Sequence, residues 1–184
     1  MAKTNQPEQA LQFSSILEES TNRLWSCHFL VPAGIAKKLI DRESRRVVCT
    51  LDGSATYQCA ILHHGAGRFV ITVNKKLRDS LGISFGAKVH VSLKKDTSEY
   101  GLPIPAEFRA LFQQDREGGK LFHALTPGKQ RTLLYIVGNV KSSEKRIARA
   151  IIIFNHLKAN RGKINYGQLS TQLKDPRHRI ARSL

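Results

Sequence analysis

A strand-helix-strand pattern occurs twice in this chain, and its two copies lie 42 residues apart. Shifting Phe29–Leu51 by that spacing places it on Ile71–Leu93 without a gap, and apolar residues fall on apolar residues at the strand and helix positions. The copies match in polarity rather than identity, and two unrelated stretches with this element order would align similarly. A duplication predicts an N-terminal β-sheet domain built from two equivalent units.

The turn and breaker residues predict an α+β fold with two domains. The Asp52-Gly53 pair indicates a tight hairpin, because both central residues of that turn need positive φ. The stretch Tyr100–Pro105 contains two prolines and a glycine, which neither a helix nor a strand crosses easily. We therefore expect a double-split β-barrel domain over 10–96, a linker over 97–104, an all-α helical module over 105–160 and a basic tail over 161–184.

The residues beyond the linker have helical periodicity. Thr126-Pro127 is typical of a helix start, whereas Gly118-Gly119 is expected to end the helix before it. A long helix over Ser143–Lys158 has an apolar stripe that we expect to face the core, formed by Ile147, Ile151, Phe154 and Leu157. One more helix is expected around Tyr166–Leu173, followed by a basic arm over Pro176–Arg182.

Composition argues against several classes of protein. No apolar run approaches the roughly 18 residues that a membrane span needs, and the N-terminal MAKTNQPEQA is polar. We therefore expect a cytoplasmic protein without membrane insertion.

The cysteines Cys27, Cys49 and Cys59 lack Cys-x-x-Cys spacing, and His63-His64 has no third ligand spaced nearby. These residues predict buried thiols and an exposed histidine pair, with no metal and no cofactor.

Positive charge is concentrated in the last third of the chain. Residues 1–119 contain 16 Lys and Arg against 12 Asp and Glu, whereas residues 120–184 contain 14 against 2. Such an excess attracts polyanions at low salt, but it also keeps a protein soluble. Near the start of the long helix, Lys141, Lys145 and Arg149 recur every four residues, with Arg146 beside them. This row is interpreted either as a solvated face or as a ridge that contacts phosphates.

Three motifs of the second half carry a family resemblance: Pro105-Ala106-Glu107-Phe108, Leu125-Thr126-Pro127 and Val140–Arg149. They resemble the pattern of the YdeI/OmpD-associated family, which is named in bacteria for bacteriocin protection. In the last motif Lys141, Glu144, Arg146 and Arg149 match, whereas Val140, Lys145 and Ala150 depart from the family residues. The resemblance implies a candidate anion or partner site, formed by Lys141, Glu144, Arg146 and Arg149. The alternative is a purely structural role for these residues as a salt-bridged helix corner.

The first half resembles the domain of unknown function that often precedes such a module, a double-split β-barrel similar to the AbrB/MazE DNA-binding group. The resemblance is carried by Trp25, the Gly65–Arg68 loop, Val73–Arg78 and Gly86–Val89. In the AbrB group each of two chains supplies one strand-helix-strand unit, so one chain is expected to supply both units here. The family has an acidic residue after the second glycine, where this chain has Ala87-Lys88.

Three classes of function remain open. An enzyme has the least support, because no histidine or carboxylate pair has catalytic spacing and no glycine-rich loop opens a helix; no catalytic residue is predicted. The family resemblance implies a non-enzymatic binding protein for an unknown protein or anionic ligand, linked to bacteriocin protection or envelope stress. The alternative is salt-dependent, weakly specific DNA binding. Its candidate contacts are Arg45, Arg46, Lys75, Lys76, Arg78 and Lys145. Monomer and homodimer are both open.

Overall fold

The computed structural model describes residues 9–20, 26–42 and 44–175. The chain divides into two compact units, Met1–Gly101 and Leu102–Leu184. The first has strands and two short helices, and the second has helices, so the described part is an α+β protein. Trp25 and the predicted arm Pro176–Arg182 lie outside the described residues.

The first unit is built on a curled antiparallel sheet. Its elements are β1 (Leu11–Glu19), β2 (Cys27–Val31), α1 (Ala33–Leu39), β3 (Arg46–Leu51), β4 (Ala55–Ala60), β5 (Leu62–His63), β6 (Phe69–Thr72), α2 (Lys75–Leu81) and β7 (Lys88–Lys95). The strands follow the order β4-β3-β7-β1-β2-β6-β5. Only Ile61 separates β4 from β5 in the chain, although these strands stand at opposite ends of that order. The sheet must therefore curl until its two ends approach each other.

The two predicted strand-helix-strand units pair with each other within this sheet. Moving the bounds of α1 by the predicted spacing gives the bounds of α2. Strand β2 pairs with β6 and β3 pairs with β7, all antiparallel. The equivalent residues Phe29 and Ile71 are direct partners, and so are Thr50 and Ser92. The two units are thus related by an approximate two-fold arrangement.

Alternation along the strands separates the core from the surface. Val47, Cys49 and Leu51 of β3 are buried, and so are Val89, Val91 and Leu93 of β7. This alternation is what period-two side chains produce when one face of a sheet is covered.

Burial raises the pKa of the Cys27 thiol. Cys27 and Cys49 are buried, Cys59 is half-buried, and all three thiols are free.

The ends of α2 are specified locally. The side chain of Asn74 accepts a hydrogen bond from the Leu77 backbone N–H at 2.8 Å, which satisfies one donor of the first turn. At the other end Gly82 has a φ of 64°, a left-handed conformation that glycine adopts without a Cβ penalty. Both ends of α2 are therefore set by residues that adjoin the helix in the chain.

The second unit is a helical bundle around one central helix. Its helices are α3 (Ala106–Gln114), α4 (Arg116–His123), α5 (Pro127–Gly138), α6 (Ser143–Ala159) and α7 (Tyr166–Lys174). Helix α6 contacts each of the other four. The centre is aromatic: the ring centroid of Phe108 lies 5.1 Å from that of Phe122 and 5.3 Å from that of Phe154. No helix among the described residues is long and apolar enough to cross a membrane.

Two expectations for this unit are wrong. Gly118 and Gly119 do not end a helix but lie inside α4, where both are buried. On α6 the predicted stripe is wrong at Ile147 and Ile151, which are 46% and 44% exposed, whereas Phe154 and Leu157 are buried as expected. Contact with four neighbours gives α6 a broader buried surface than one stripe. The buried residues of α6 are Ala150, Ile152, Ile153, Phe154, His156 and Leu157.

The expected helix near the C-terminal end forms as α7, and His156 fixes it to α6. The Nε2 atom of this buried histidine accepts a hydrogen bond from the Asn165 backbone N–H at 3.1 Å. Its Nδ1 lies 2.9 Å from Gln172 Oε1. Because Nε2 must act as an acceptor, the proton of the neutral ring is assigned to Nδ1. His156 thus supplies the polar contacts between the two helices.

Candidate functional site

A largely apolar cleft lies in the helical unit between the segment before α3 and the last turn of α5. Its volume is about 450 Å³. The lining residues are Leu102, Pro103, Ile104, Pro105, Ala106, Glu107, Leu134, Tyr135, Gly138, Asn139 and Arg146. Only Glu107 and Arg146 among them carry charge. The cleft therefore has an apolar body and one charged end.

The two walls of the cleft follow from local sequence. Pro105 has φ −56° and ψ 136°, an extended conformation that precedes the first turn of α3 and forms one wall. On the other wall Tyr135 is 63% exposed, which leaves its ring available at the rim. Gly138 ends α5, and a Cβ built there would lie 3.5 Å from Pro105 Cγ. The absence of a side chain at Gly138 leaves the space between the two walls unfilled.

A bridge of three side chains closes the charged end. The Nη2 atom of Arg146 lies 2.8 Å from Glu107 Oε1, and the Ser143 hydroxyl donates to the same oxygen at 2.7 Å. The Nη1 atom of Arg146 donates to the carbonyl oxygens of Val140 and Lys141 at 3.1 and 3.0 Å. Arg146 therefore joins the start of α3 to the α5–α6 connection.

The bridge fixes the charge state of Glu107. Its hydrogen bond from Arg146, helped by the Glu107 backbone N–H and by Ser143, lowers the pKa of the Glu107 carboxyl from 4.5 to about 2. The same pair raises the pKa of the Arg146 guanidinium. Both groups are therefore charged throughout the physiological pH range.

We expect Glu107→Gln to weaken the acid dependence of stability. Because the folded pKa is depressed, the stabilisation by Glu107 is present above about pH 4.5 and is lost as pH falls towards about 2. Urea unfolding at neutral pH should show Glu107→Gln to be less stable than the parent, and the two should converge at acid pH. Glu144→Gln, at an exposed position of α6, is the control and should follow the parent. Parallel pH curves for Glu107→Gln and the parent would contradict this role of Glu107.

The predicted anion or partner site is only partly assembled. Arg146 lines the cleft, but its carboxylate partner is Glu107 rather than Glu144. Arg149 donates from Nη1 to the Ile136 carbonyl at 2.7 Å and so caps the end of α5. The side chains of Lys141 and Glu144 are exposed, and neither forms a hydrogen bond or ion pair with another described side chain. The described geometry places Arg146 alone of the four at the cleft.

Some of the candidate nucleic-acid contacts have side chains engaged within the protein, and others are exposed. Arg46 donates from Nη2 to the Gly101 carbonyl, and the guanidinium of Arg78 lies 4.8 Å from the Phe85 ring centroid. Both arginines are thus engaged in contacts within the first unit. The remaining candidates of that unit, Arg45, Lys75 and Lys76, are exposed, and so is Lys145 of the helical unit.

The histidines near β5 are less uniform than the sequence suggested. His63 is exposed, but His64 is partly buried and its ring lies 4.9 Å from that of His28. Within the described residues, no group of three or more His, Cys, Asp or Glu side chains is placed to hold a metal ion.

Sequence reasoning missed the partner groups of the bridge. Glu107 and Ser143 both lie in motifs that resemble the family pattern, Glu107 in Pro105–Phe108 and Ser143 in Val140–Arg149. Those motifs are the signal that points to them. Tyr135 has no comparable signal, because it lies outside these motifs, between the apolar residues Leu134 and Ile136.

Together these features define a class: a two-unit α+β protein with a ligand-sized apolar cleft in its helical unit. Residues 102–160 match the family described as bacteriocin-protection, YdeI or OmpD-associated. Residues 13–93 match a domain of unknown function, DUF1905. The helical unit thus matches the YdeI or OmpD-associated family model, and the sheet unit ahead of it matches DUF1905. No curated protein matches the chain.

Proposed function

We propose that the protein is a non-enzymatic binding protein that takes a small amphipathic ligand in the cleft of its helical unit. The observation that carries this proposal is the cleft itself. Its volume of about 450 Å³ falls within the usual range for small-molecule sites. An apolar body with a few polar groups at one end is the usual composition of such sites.

The electrostatics of the cleft favour binding over catalysis. An efficient general base has a pKa near the working pH. Glu107 is the carboxylate of the cleft, and its pKa of about 2 makes it a weak proton acceptor at neutral pH. Arg146 and Ser143 already occupy Glu107 Oε1. These contacts suit a rigid support better than a proton shuttle.

The family description suggests the biological setting. Because the matched module is described by bacteriocin protection and OmpD association, we place this binding role in the bacterial cytoplasm, in protection against bacteriocins or in envelope stress. The antiparallel pairing of β2 with β6 and of β3 with β7 supports a double-split barrel of the AbrB/MazE type for the first unit.

We expect Gly138→Leu to reduce ligand binding at least about tenfold, because the new side chain would extend from one wall towards Pro105 on the other. Binding is measured with the full chain and the neutral fluorescent probe N-phenyl-1-naphthylamine. Gly138 does not have positive φ, so a side chain there causes no backbone strain.

Gly128→Leu is the matched control. Gly128 is an exposed glycine of the same helix, and a Cβ there meets nothing within 4 Å. This variant should bind the probe as the parent does. Equal binding by the parent and both variants, or no saturable binding by the parent, would overturn the cleft as the binding site.

A second candidate function is weakly specific DNA binding, favoured by the exposure of Arg45, Lys75 and Lys76 in the sheet unit. We expect a mobility shift of duplex DNA at low salt that disappears near physiological salt, with little dependence on sequence. The double variant Lys75→Gln, Lys76→Gln should weaken the shift and flatten its salt dependence. Either no shift at low salt or a shift insensitive to salt would exclude this function.

A further inference from the structure

Arg146 has hydrogen-bonding capacity to spare at the cleft. A guanidinium carries five N–H donors. Two on Nη1 are used by the Val140 and Lys141 carbonyls, and one on Nη2 is used by Glu107. Among the described residues, the Nε–H and the second Nη2–H have no acceptor. The side chain is 28% exposed and lines the cleft, so a bound molecule can reach these donors.

The charge around the cleft favours an anionic partner for those donors. The charges of Glu107 and Arg146 cancel. The sign of the electrostatic potential at the cleft is therefore set by the other charged residues of the helical unit. Residues 102–175 contain 13 Lys and Arg against five Asp and Glu. One of the other acids, Asp115, is also paired, since Lys158 Nζ lies 2.6 Å from its Oδ2. The potential of the helical unit is therefore positive.

We propose that the ligand of the cleft is an amphipathic carboxylate, with its apolar part against Leu102, Ile104 and the exposed ring of Tyr135 and its carboxylate on the two remaining N–H groups of Arg146. A planar guanidinium binds a carboxylate through charge-assisted hydrogen bonds, and its five N–H donors point in different directions within one plane. Glu107 keeps its place, so binding needs no rupture of the bridge. This inference rests on the proposed function and adds the chemical class of the ligand to it.

The test compares two probes that differ only in the charged group. The full chain is titrated by calorimetry with 4-phenylbutyrate and with its neutral analogue 4-phenylbutanamide. The carboxylate should bind at least about tenfold more tightly than the amide. Acetate at the same concentration should not displace it, because acetate has the charge without the apolar part.

The possible outcomes distinguish a failure of the carboxylate preference from a failure of the proposed binding function. Equal affinity for the two probes, both lost in Gly138→Leu, would overturn the carboxylate preference and leave the cleft as a binding site. Displacement of 4-phenylbutyrate by acetate would show that anions are attracted to the positive surface in general. That result would also overturn the carboxylate preference of the cleft. Absence of binding by both probes would overturn the proposed function.

Arg146 is tested with a variant that keeps its charge. In Arg146→Lys the preference for 4-phenylbutyrate over the amide should fall to about threefold or less, because an ammonium lacks the planar fork. Since Arg146 also supports the α5–α6 connection, this result counts only if circular dichroism shows a folded variant. Should the variant not fold, the comparison of the two probes on the parent chain decides alone. A folded variant with undiminished preference would exclude Arg146 as the carboxylate partner.

Discussion

Replacing Gly118 with alanine is expected to destabilise the helical unit by about 3 kcal/mol. A Cβ built at Gly118 would lie 2.2 Å from Cδ2 and 2.7 Å from Cγ of Phe154. Phe154 is buried in contact with Phe108, so its ring has little room to move away. Overpacking of this kind outweighs the gain of about 1 kcal/mol that alanine brings to a helix.

Gly119→Ala is the matched control for this prediction. Gly119 is the next residue of the same helix and is also buried, but a Cβ there would lie 3.5 Å from Phe112 Cδ1, an ordinary contact. This variant should be neutral or more stable by up to about 1 kcal/mol. Amide hydrogen exchange in α4 and α6 should become about a hundredfold faster in Gly118→Ala and stay unchanged or slow down in Gly119→Ala. Equal effects of the two substitutions would contradict the close packing of α4 on α6.

Phe29→Ala should destabilise the sheet unit by about 3 to 5 kcal/mol. Phe29 is fully buried in β2, pairs with Ile71 and lies 6.3 Å from the Phe13 ring between centroids. Removing it leaves a cavity where the two equivalent units meet. The loss of stability is measured as faster hydrogen exchange of the β2 and β6 amides. If the two units fold together, exchange should become faster across the whole sheet.

Phe85→Ala is the corresponding surface change. Phe85 is 43% exposed, and its main described partner is the guanidinium of Arg78. Its loss should cost about 1 kcal/mol or less, the usual value of an exposed cation–π contact. A Phe29→Ala variant no less stable than Phe85→Ala would contradict the core assigned to the sheet.

The sheet unit was accessible to sequence reasoning because its signals are local. The Asn74 cap and Gly82 act within a few residues of the chain, and each copy of the repeat can be read along its own stretch, so the element bounds follow from them. The glycines of α4 show where this reasoning fails. A glycine pair weakens a helix locally, but here Gly118 admits the Phe154 ring of a helix that is distant in sequence. Such a tertiary requirement leaves no mark on the local pattern.

The candidate site, like the fold, was predictable only where its signal lies along one stretch of the chain. The basic motif identified Arg146, since its spacing could be read along one helix. Its contact with Glu107 depends on how α3 and α6 pack, and the nearby Glu144 was the more obvious carboxylate along the chain. The cleft has walls from two separate segments and therefore exists only once they are packed.

The cleft is tested most directly by a nuclear magnetic resonance titration of the ¹⁵N-labelled full chain with 4-phenylbutyrate. We expect saturable shifts of the backbone amides of Ala106, Glu107, Tyr135, Gly138 and Asn139, which line the two walls. The amides of α2 should remain in place and report any general attraction to basic surface. Shifts confined to α2, or the absence of saturable shifts at the cleft, would contradict a ligand site in the helical unit.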